Sequence, residues 1–411
     1  MPSQSLSQSV ASAPLFRRVA AMVPPYAALF LIIMALLINS PALFYMATAM
    51  VCTILACRLQ AYLSVRGLRI ERVTPPAARV GERVTVSITV WSEKRIKRPL
   101  ISIRDGLPDR LVVSERTPSL PVAPSFDQPI QTRYSFRPLR RGIFRWSTMQ
   151  IVGTDALGIV TMNRDYRTEA TELVVYPPRI AVSVNLQPSG GAGGISEAES
   201  GRFRGSGIEP RGVREYQAGD PLRHVHWASS ARSRTLMVKE FEVGSSLAAA
   251  FFLQRTQGTD FGTGFSSLEA MCGHTVYLAE VFLKSGATVK IPTVELVPAS
   301  AANYEDRLQQ INHALALLEP TSEDSLAADV IQSLSRIGEG GSLFVMLAAQ
   351  DPELPDTLAR LSQFDRVCLI YDAADYDPKA AARSAADPIY LERLRQAGCR
   401  IVAMPVVEEF R

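Results

Sequence analysis

The sequence predicts a multidomain protein that contains a two-helix transmembrane hairpin, an all-β sandwich-like domain and an α/β domain. Three patterns along the chain support this fold class. A long uncharged run near the N-terminus has the length of membrane helices, and a period-two pattern follows it. In the C-terminal part, strand-like and helix-like segments alternate, which is typical of a mostly parallel sheet covered by helices.

The first domain, residues 1–67, is predicted to be a membrane anchor. From Val19 to Cys57 the chain holds 39 residues without a charge, and one membrane-spanning helix needs about 20 apolar residues. Asn39-Ser40-Pro41 divides this run, because the proline disfavours a continuing helix and the polar pair favours a turn. We therefore predict transmembrane helices over residues 24–38 and 42–57. A cleaved signal peptide is the alternative, although its apolar region would span only about 7–15 residues.

Basic residues flank the predicted hairpin on both sides. They are Arg17 and Arg18 before it, and Arg58, Arg66 and Arg69 after it. The positive-inside rule therefore places both ends of the hairpin, and the body that follows, in the cytoplasm. The five cysteines lack the spacing of a disulfide framework or a zinc site, which agrees with a reduced compartment. The net charge of +4 does not indicate a dedicated nucleic-acid binder.

The second domain, residues 68–180, is predicted to be all-β and sandwich-like. From Val84 to Val90 apolar residues alternate with threonine and serine, which is the pattern of a half-buried strand. Further short strands are predicted at residues 100–103, 134–136, 142–146, 150–152 and 173–176. Turns that contain proline and glycine separate them, and no long helical pattern interrupts the series.

Residues 181–206 are predicted to be a linker. The run from Gln187 to Gly194 is rich in glycine and disfavours regular structure. A phosphate-binding loop is the alternative interpretation, but the GxxxxGK[ST] pattern is absent and no strand leads directly into the run. The flexible linker is the favoured reading.

The last domain, residues 246–411, is predicted to be α/β. Buried strands are expected at residues 247–253, 287–296, 342–347, 366–371 and 400–404. Helices are expected between them at residues 267–284, 304–318, 325–337, 355–361 and 389–397. This order favours a mostly parallel sheet with helices on both faces.

Residues 207–245 carry the most specific pattern in the chain. Its characteristic residues are Arg214, Glu215, Tyr216, Gly219, Asp220, Arg223, His226, Trp227 and Arg232. This segment closely resembles the hallmark of the bacterial family called domain of unknown function 58. Arg141–Phe144 and Asp155–Ile159 resemble the family as well, although Ala156 and Leu157 replace its usual proline and phenylalanine.

The resemblance covers nearly the whole chain and implies a fold. The family commonly has two transmembrane helices, a β-rich region, the hallmark segment and a von Willebrand factor A-like (Rossmann-like) α/β domain. Its genes often lie beside the gene of a MoxR-type AAA+ ATPase. The resemblance therefore implies a multi-pass protein of the bacterial cytoplasmic membrane that contacts such an ATPase.

The hallmark segment can form a polar network. Arg214, Arg223 and Arg232 are able to pair with Glu215 and Asp220, and Trp227 can cover the pairs. We expect either a clasp between the two soluble domains or a docking surface for a partner. His224 and His226 would face one side of a strand, where two histidines without a third ligand favour a structural role over a metal site.

A working von Willebrand A domain binds Mg²⁺ through Asp-x-Ser-x-Ser at the end of its first strand, as the resemblance implies. Here Gln254, Thr256 and Gly258 occupy the three ligand positions, and Arg255 adds a positive charge beside them. Losing an anionic ligand and adding a cation weakens Mg²⁺ binding. Asp351 alone does not replace the set. We predict a degenerate, metal-free site, and we expect no cofactor.

The leading hypothesis is therefore a non-enzymatic scaffold or adaptor that is anchored in the membrane. An envelope-associated hydrolase is one alternative, although the chain contains neither GxSxG nor HExxH. The other alternative is contact of the basic hallmark segment with anionic lipid or nucleic acid. Acidic residues alternate with the basic ones there, which favours internal pairing over such contact.

Overall fold

A computed structural model describes residues 13–95, 98, 100–114, 119–182, 210–215, 226–233, 235–241, 248–292, 303–337 and 341–407. The chain divides into two compact units, which confirms the prediction of a multidomain protein. The N-terminal unit contains residues 1–78, 82–138 and 144–173. The C-terminal unit contains residues 79–81, 139–143 and 174–411. Most of the predicted linker, residues 183–206, lies outside the described residues.

The N-terminal unit begins with two consecutive helices, α1 (Ala13–Ile38) and α2 (Pro41–Ser64). Asn39 lies between them in the left-handed conformation, with φ 52, and the turn that separates the helices is where the sequence predicts it. Both helices are longer than predicted, since α1 starts before Pro24 and α2 continues beyond Cys57. Helix α2 is long and apolar enough to cross a membrane, whereas the apolar part of α1 described in full, Val23–Ile38, is shorter.

Small residues mediate the packing of α1 against α2. Ala28, Ala35 and Ala47 are buried, although most of the large apolar side chains on the two helices are exposed. Small side chains let two helix backbones approach closely, which is the usual way that membrane helices associate. From Val23 to Leu55 the exposed side chains of the two helices are mostly apolar.

The C-terminal end of α2 is tied to the β-structure that follows. Arg98 donates hydrogen bonds to the carbonyl oxygens of Leu63, Ser64 and Gly67, at 2.7, 3.2 and 3.0 Å. The carbonyls of Leu63 and Gly67 also accept from backbone N–H groups, those of Val65 and Glu93. The guanidinium therefore adds charged donors to the carbonyls at the end of the helix, which lack intrahelical partners. Gly153 lies so close that an added Cβ would collide with the side chain of Ser64.

Replacing Arg98 by alanine should loosen this end of α2. We expect the substitution to cost about 1–3 kcal/mol, because it removes hydrogen bonds from a charged donor to part-buried carbonyls. Hydrogen–deuterium exchange of peptides from residues 60–68, measured on the full chain in detergent, should become faster. Arg95→Ala is the matched control, since that side chain is exposed. Equal exchange in the two variants would contradict the assigned role.

Two sheets make up the β-structure of this unit. The strands are β1 (Leu68–Val73), β2 (Ala77–Arg79), β3 (Val84–Ser92), β4 (Ile101–Asp105), β5 (Leu120–Val122), β6 (Ile130–Phe136), β7 (Gly142–Thr154) and β8 (Thr161–Tyr176). One sheet has the order β1-β3-β6 and the other β2-β8-β7-β4-β5. The pairs β1–β3, β3–β6, β4–β5 and β4–β7 are antiparallel. The predicted strands at residues 142–146 and 150–152 are a single strand, β7.

A buried ion pair links the two sheets. Arg72 of β1 contacts Asp105 of β4 at 2.6 Å, and both side chains are 1% exposed. Tyr134 of β6 donates a hydrogen bond of 2.6 Å to the second carboxylate oxygen of Asp105. Burying these charges is tolerated because each finds partners of opposite charge or a hydrogen-bond donor.

The C-terminal unit contains a five-stranded parallel sheet. Its strands are β11 (Ala248–Leu253), β12 (Thr288–Lys290), β13 (Ser342–Leu347), β14 (Asp365–Tyr371) and β15 (Arg400–Met404), in the spatial order β12-β11-β13-β14-β15. Neighbouring strands pair in parallel throughout. The chain order reverses between β11 and β13, which is where open α/β sheets bind ligands at the carboxyl ends of their strands.

Helices cover both faces of the sheet, as predicted. They are α4 (Ser267–Lys284), α5 (Tyr304–Ala316), α6 (Leu326–Gln332), α7 (Leu334–Ile337), α8 (Leu354–Ala359), α9 (Ala373–Tyr376) and α10 (Pro388–Gln396). Alternate residues of β11 enter separate cores: Phe251 packs with α4 and α5, and Phe252 packs with α6, α8 and α10. The single helix predicted at residues 325–337 is divided at Ser333, whose backbone caps α6.

Candidate functional site

Part of the hallmark segment forms a two-stranded antiparallel ribbon. Its strands are β9 (Pro210–Glu215) and β10 (Met237–Phe241). Val238 pairs with Arg214 and Met237 pairs with Glu215, so the two ends of the segment are neighbours. A short helix, α3 (Trp227–Ser233), lies between the strands in the chain. The ribbon therefore closes the segment on itself.

His226 caps helix α3. Its Nδ1 atom accepts a hydrogen bond of 3.3 Å from the backbone N–H of Ser229 and lies 2.7 Å from the Ser229 hydroxyl. Accepting from the third residue of a helix is the role of an N-cap side chain. The expectation that His226 belongs to a strand is therefore wrong, because the residue directly precedes α3 and caps it. Its backbone N–H still bonds β10, at the carbonyl of Met237.

Ser230 fixes α3 to the ribbon. Its hydroxyl donates to the carbonyl of His226 at 3.0 Å and accepts from the backbone N–H of Met237 at 2.8 Å. Arg232 is exposed on α3. Four of the predicted site residues lie outside the described residues, namely Tyr216, Gly219, Asp220 and Arg223. His224 lies outside them as well. The predicted ion-pair network of the hallmark therefore stays a prediction.

The carboxyl end of β11, where the metal site of a von Willebrand A domain would lie, is closed by Gln254. Its side chain is buried, and its Oε1 atom accepts hydrogen bonds from the backbone N–H groups of Ala348 and Ala349, at 3.0 and 2.9 Å. Its Nε2 atom donates to the carbonyl of Ala349 at 3.1 Å. An amide serves both roles, whereas an aspartate would lack the donor. Gln254 thus joins β11 to the end of β13.

The neighbouring side chains are also occupied. Arg255 forms a two-point pair with Asp329, at 3.1 and 3.2 Å. The Thr256 hydroxyl donates to the carbonyl of Asp324 at 3.0 Å, and Gly258 adopts a positive φ of 78 that suits a turn. The carboxylate of Asp351 accepts from the backbone N–H groups of Ala327 and Glu353.

These residues do not fit a Mg²⁺ site. Hard cations require several oxygen ligands that converge on one point. Here the Gln254 oxygen is committed to two backbone donors, and Asp351 is used to hold the start of α6. Among the residues that the structure describes, no group of three His, Cys, Asp or Glu side chains is arranged to hold an ion.

Titration of the full chain in detergent with Mg²⁺ or Mn²⁺ should therefore give no specific heat of binding. Gln254→Asp should not restore binding, because the Arg255 guanidinium lies on the adjacent residue. Micromolar binding to the wild type that disappears in Asp351→Asn would contradict the degenerate site. Isothermal titration calorimetry distinguishes the two results.

A second buried polar cluster was missed by the sequence reasoning. Arg141, in the segment 139–143 of the C-terminal unit, contacts Glu269 of α4 at 2.7 Å, and both side chains are 4% exposed. The guanidinium also donates to the carbonyls of Leu315 and Leu318, just where α5 ends. The run Arg141–Phe144, which resembles the family in sequence, could have drawn attention to Arg141. Nothing in the sequence, however, indicates that Arg141 pairs with Glu269.

Cys272 lies beside this pair, and its thiol has low nucleophilic reactivity. Burial raises the pKa of the Cys272 thiol to about 12. A thiol acts as a nucleophile through its thiolate form, which is scarce at neutral pH when the pKa is this high. The cluster therefore stabilises the unit rather than supplying a reactive group.

Comparison with known proteins gives a family for one part of the chain. Residues 212–356 match the model of the family described as "Protein of unknown function DUF58". A similar protein is the uncharacterized protein YeaD of Bacillus subtilis, which is 24% identical over 217 residues. The match covers 52% of this chain and 52% of YeaD, so it spans about half the length of that relative.

Two solved structures are each similar to about a quarter of the chain. The CARDB domain of the PF1109 protein from Pyrococcus furiosus is 13% identical, with a TM-score of 0.19, over 26% of this chain and 86% of that one. A β-glucosidase from Listeria innocua is 12% identical, with a TM-score of 0.18, over 26% of this chain and 16% of that one. Similarity at this level carries no functional argument.

Proposed function

We propose that this chain, whose residues 212–356 match the DUF58 family model, is a membrane-anchored scaffold or adaptor without catalysis of its own. The observation that carries the proposal is the closed end of β11. In open α/β sheets, ligands bind at the carboxyl ends of the strands where the chain order reverses. Gln254 and the Arg255–Asp329 pair occupy that position here. The protein would then act by binding partners through its surface rather than by binding a small molecule at this position.

The anchor in this proposal is a two-helix transmembrane hairpin in the bacterial cytoplasmic membrane. The span length of α2 and the uncharged turn at Asn39–Ser40 support it. Basic residues on both flanks favour a body in the cytoplasm. The doubly covered parallel sheet fits the von Willebrand factor A-like domain that the family resemblance implies. The proposed partner is a MoxR-type AAA+ ATPase, contacted through the hallmark segment.

Capture from native membranes tests the partner. Tagged wild type should retain an AAA+ ATPase, and Arg214→Ala and Arg223→Ala should each lose most of it. Arg395→Ala is the matched control, because that side chain is exposed on α10 and pairs only across one helix turn with Glu392. Hydrogen exchange of peptides from β11 and β13 checks folding. Retention of the ATPase by both hallmark variants, with folding intact, would contradict docking at this segment.

A further inference from the structure

The end of α2 is surrounded by exposed basic side chains. We define the basic collar as Arg58, Arg66, Arg69, Lys94 and Arg164, all of which are exposed. Arg58 lies on α2 itself, and the guanidinium of Arg66 lies 4.0 Å from the ring centre of Tyr62 on the same helix. The collar thus begins on the last turns of the helix.

The other collar residues are brought to the same place by the fold. The Lys94 side chain lies within about 4 Å of the position that a Cβ on Gly67 would take. Arg164 lies over the ring of Tyr166, whose hydroxyl donates a 2.6 Å hydrogen bond to the carbonyl of Val65. Arg69 follows on β1. Acidic residues also lie near the collar: Glu93, whose backbone N–H bonds Gly67, Asp155, which contacts Cys57, and Asp165, which follows Arg164. The five basic side chains of the collar outnumber these three.

An exposed apolar residue lies next to the collar. Leu157 is 64% exposed at the tip of the turn from Asp155 to Val160. The Asp155 carboxylate accepts from the backbone N–H groups of Leu157 and Val160, at 3.0 and 2.6 Å, which holds the turn in one shape. The N–H of Ala156 donates to the side chain of Gln60 on α2, at 3.1 Å. A rigid turn therefore presents Leu157 beside the helix.

The helix length places this region at the edge of a bilayer. From Pro41 to Cys57, α2 carries 17 residues without a charge. At about 1.5 Å per residue they span roughly 25 Å, close to the hydrocarbon thickness of about 30 Å. The lipid–water boundary then falls near Arg58, and Gln60 with its bound turn lies only about 3 Å further along the axis.

We infer that the N-terminal unit lies directly against the cytoplasmic membrane surface. The basic collar binds the headgroups of anionic phospholipids, and Leu157 enters the boundary between headgroups and acyl chains. Basic residues are attracted to the negative surface of the cytoplasmic leaflet, and short apolar side chains add contact at the interface. The inference rests on the proposed anchor, because the position of the boundary follows from α2 crossing the bilayer.

Fluorescence of the full chain in nanodiscs tests the inference. An environment-sensitive label is attached at Leu157→Cys in a Cys52→Ser background, in which the other four cysteines are buried. In discs that contain phosphatidylglycerol, the emission should shift to shorter wavelength, and lipids with brominated acyl chains should quench it. In discs of phosphatidylcholine alone, most of the shift and quenching should be lost.

Charge reversal and a distant label provide the controls. The triple variant Arg66→Glu, Lys94→Glu and Arg164→Glu changes exposed side chains and should lose the quenching. The double variant Arg66→Lys and Arg164→Lys keeps the charges and should keep the quenching. A label at Asp109→Cys should stay unquenched, because β4 pairs Ile101 with Gly153 beside α2 and leads away from it towards Asp109.

The results of these experiments distinguish failure of the inferred membrane contact from failure of the proposed transmembrane anchor. A label at native Cys52 that is quenched, with an unquenched label at residue 157, would overturn the inference and leave the anchor in place. Equal quenching at residue 157 in the reversed triple variant would overturn the role of the collar. If neither label is quenched, α2 is outside the bilayer, and the proposed anchor fails together with the inference.

Discussion

Replacing Arg141 by methionine should destabilise the C-terminal unit by about 3–5 kcal/mol, because the substitution leaves Glu269 buried without its counter-charge. The Leu315 and Leu318 carbonyls lose their donor as well. Urea unfolding, followed by hydrogen exchange of peptides from β11 and β13, measures the loss.

A double variant identifies the cause. Arg141→Met combined with Glu269→Met should recover part of the stability, since removing both charges of a buried pair costs much less than removing one. Arg395→Met is the matched control, because its partner Glu392 is as exposed as Arg395 itself. We expect that control to change stability by less than about 1 kcal/mol. If the double variant is less stable than Arg141→Met, the unpaired buried charge of Glu269 is not the cause of the loss.

Acidification should weaken the same unit through His274. Burial lowers the pKa of His274 to about 4, and an unfolded histidine titrates near 6.5. Between these values the unfolded chain binds the proton more readily, so stability is full above about pH 6.5 and falls as the pH decreases towards about 4. The loss is on the order of 3 kcal/mol.

Unfolding midpoints at pH values across this range test the prediction. His274→Gln should flatten the dependence, because glutamine does not titrate, although it can still bond the Tyr371 hydroxyl, which lies 2.8 Å from His274 Nδ1. His313→Gln is the matched control, as His313 is exposed on α5. If the His274 variant keeps the full pH dependence, another group is responsible.

Periodicity and apolar runs predicted much of the fold, because both report burial directly. The alternation at Val84–Val90 gave β3, and the apolar runs of the C-terminal half gave β11, β13 and β14 close to their observed bounds. The division of β7 was wrong, since Ser147 and Thr148 resemble a turn in sequence. In the sheet β7 lies between β8 and β4, and the Gly106 N–H bonds the Thr148 carbonyl just beyond the last β4 pair at Met149.

Contacts between distant positions could not be predicted from one sequence. Arg141 and Glu269 are 128 positions apart, and neither residue type indicates burial by itself. The prediction of a degenerate metal site rests on adjacent residues instead, because Gln254 stands where the family resemblance implies an acid. The hydrogen bonds of Gln254 to Ala348 and Ala349 could not be predicted, since they depend on how β11 and β13 pair.

The close approach of Gly153 to Ser64 has a mechanical consequence. Gly153 leaves no room for a side chain, and Arg98 bonds the carbonyls at the end of α2, so we expect the helix and the β-structure to move together. A tilt of α2 should then change the orientation of the β-sheets as well. In the proposed membrane anchor, bilayers of different thickness, which tilt membrane helices to different degrees, should reorient the sheets without changing spin-label distances between α2 and β7.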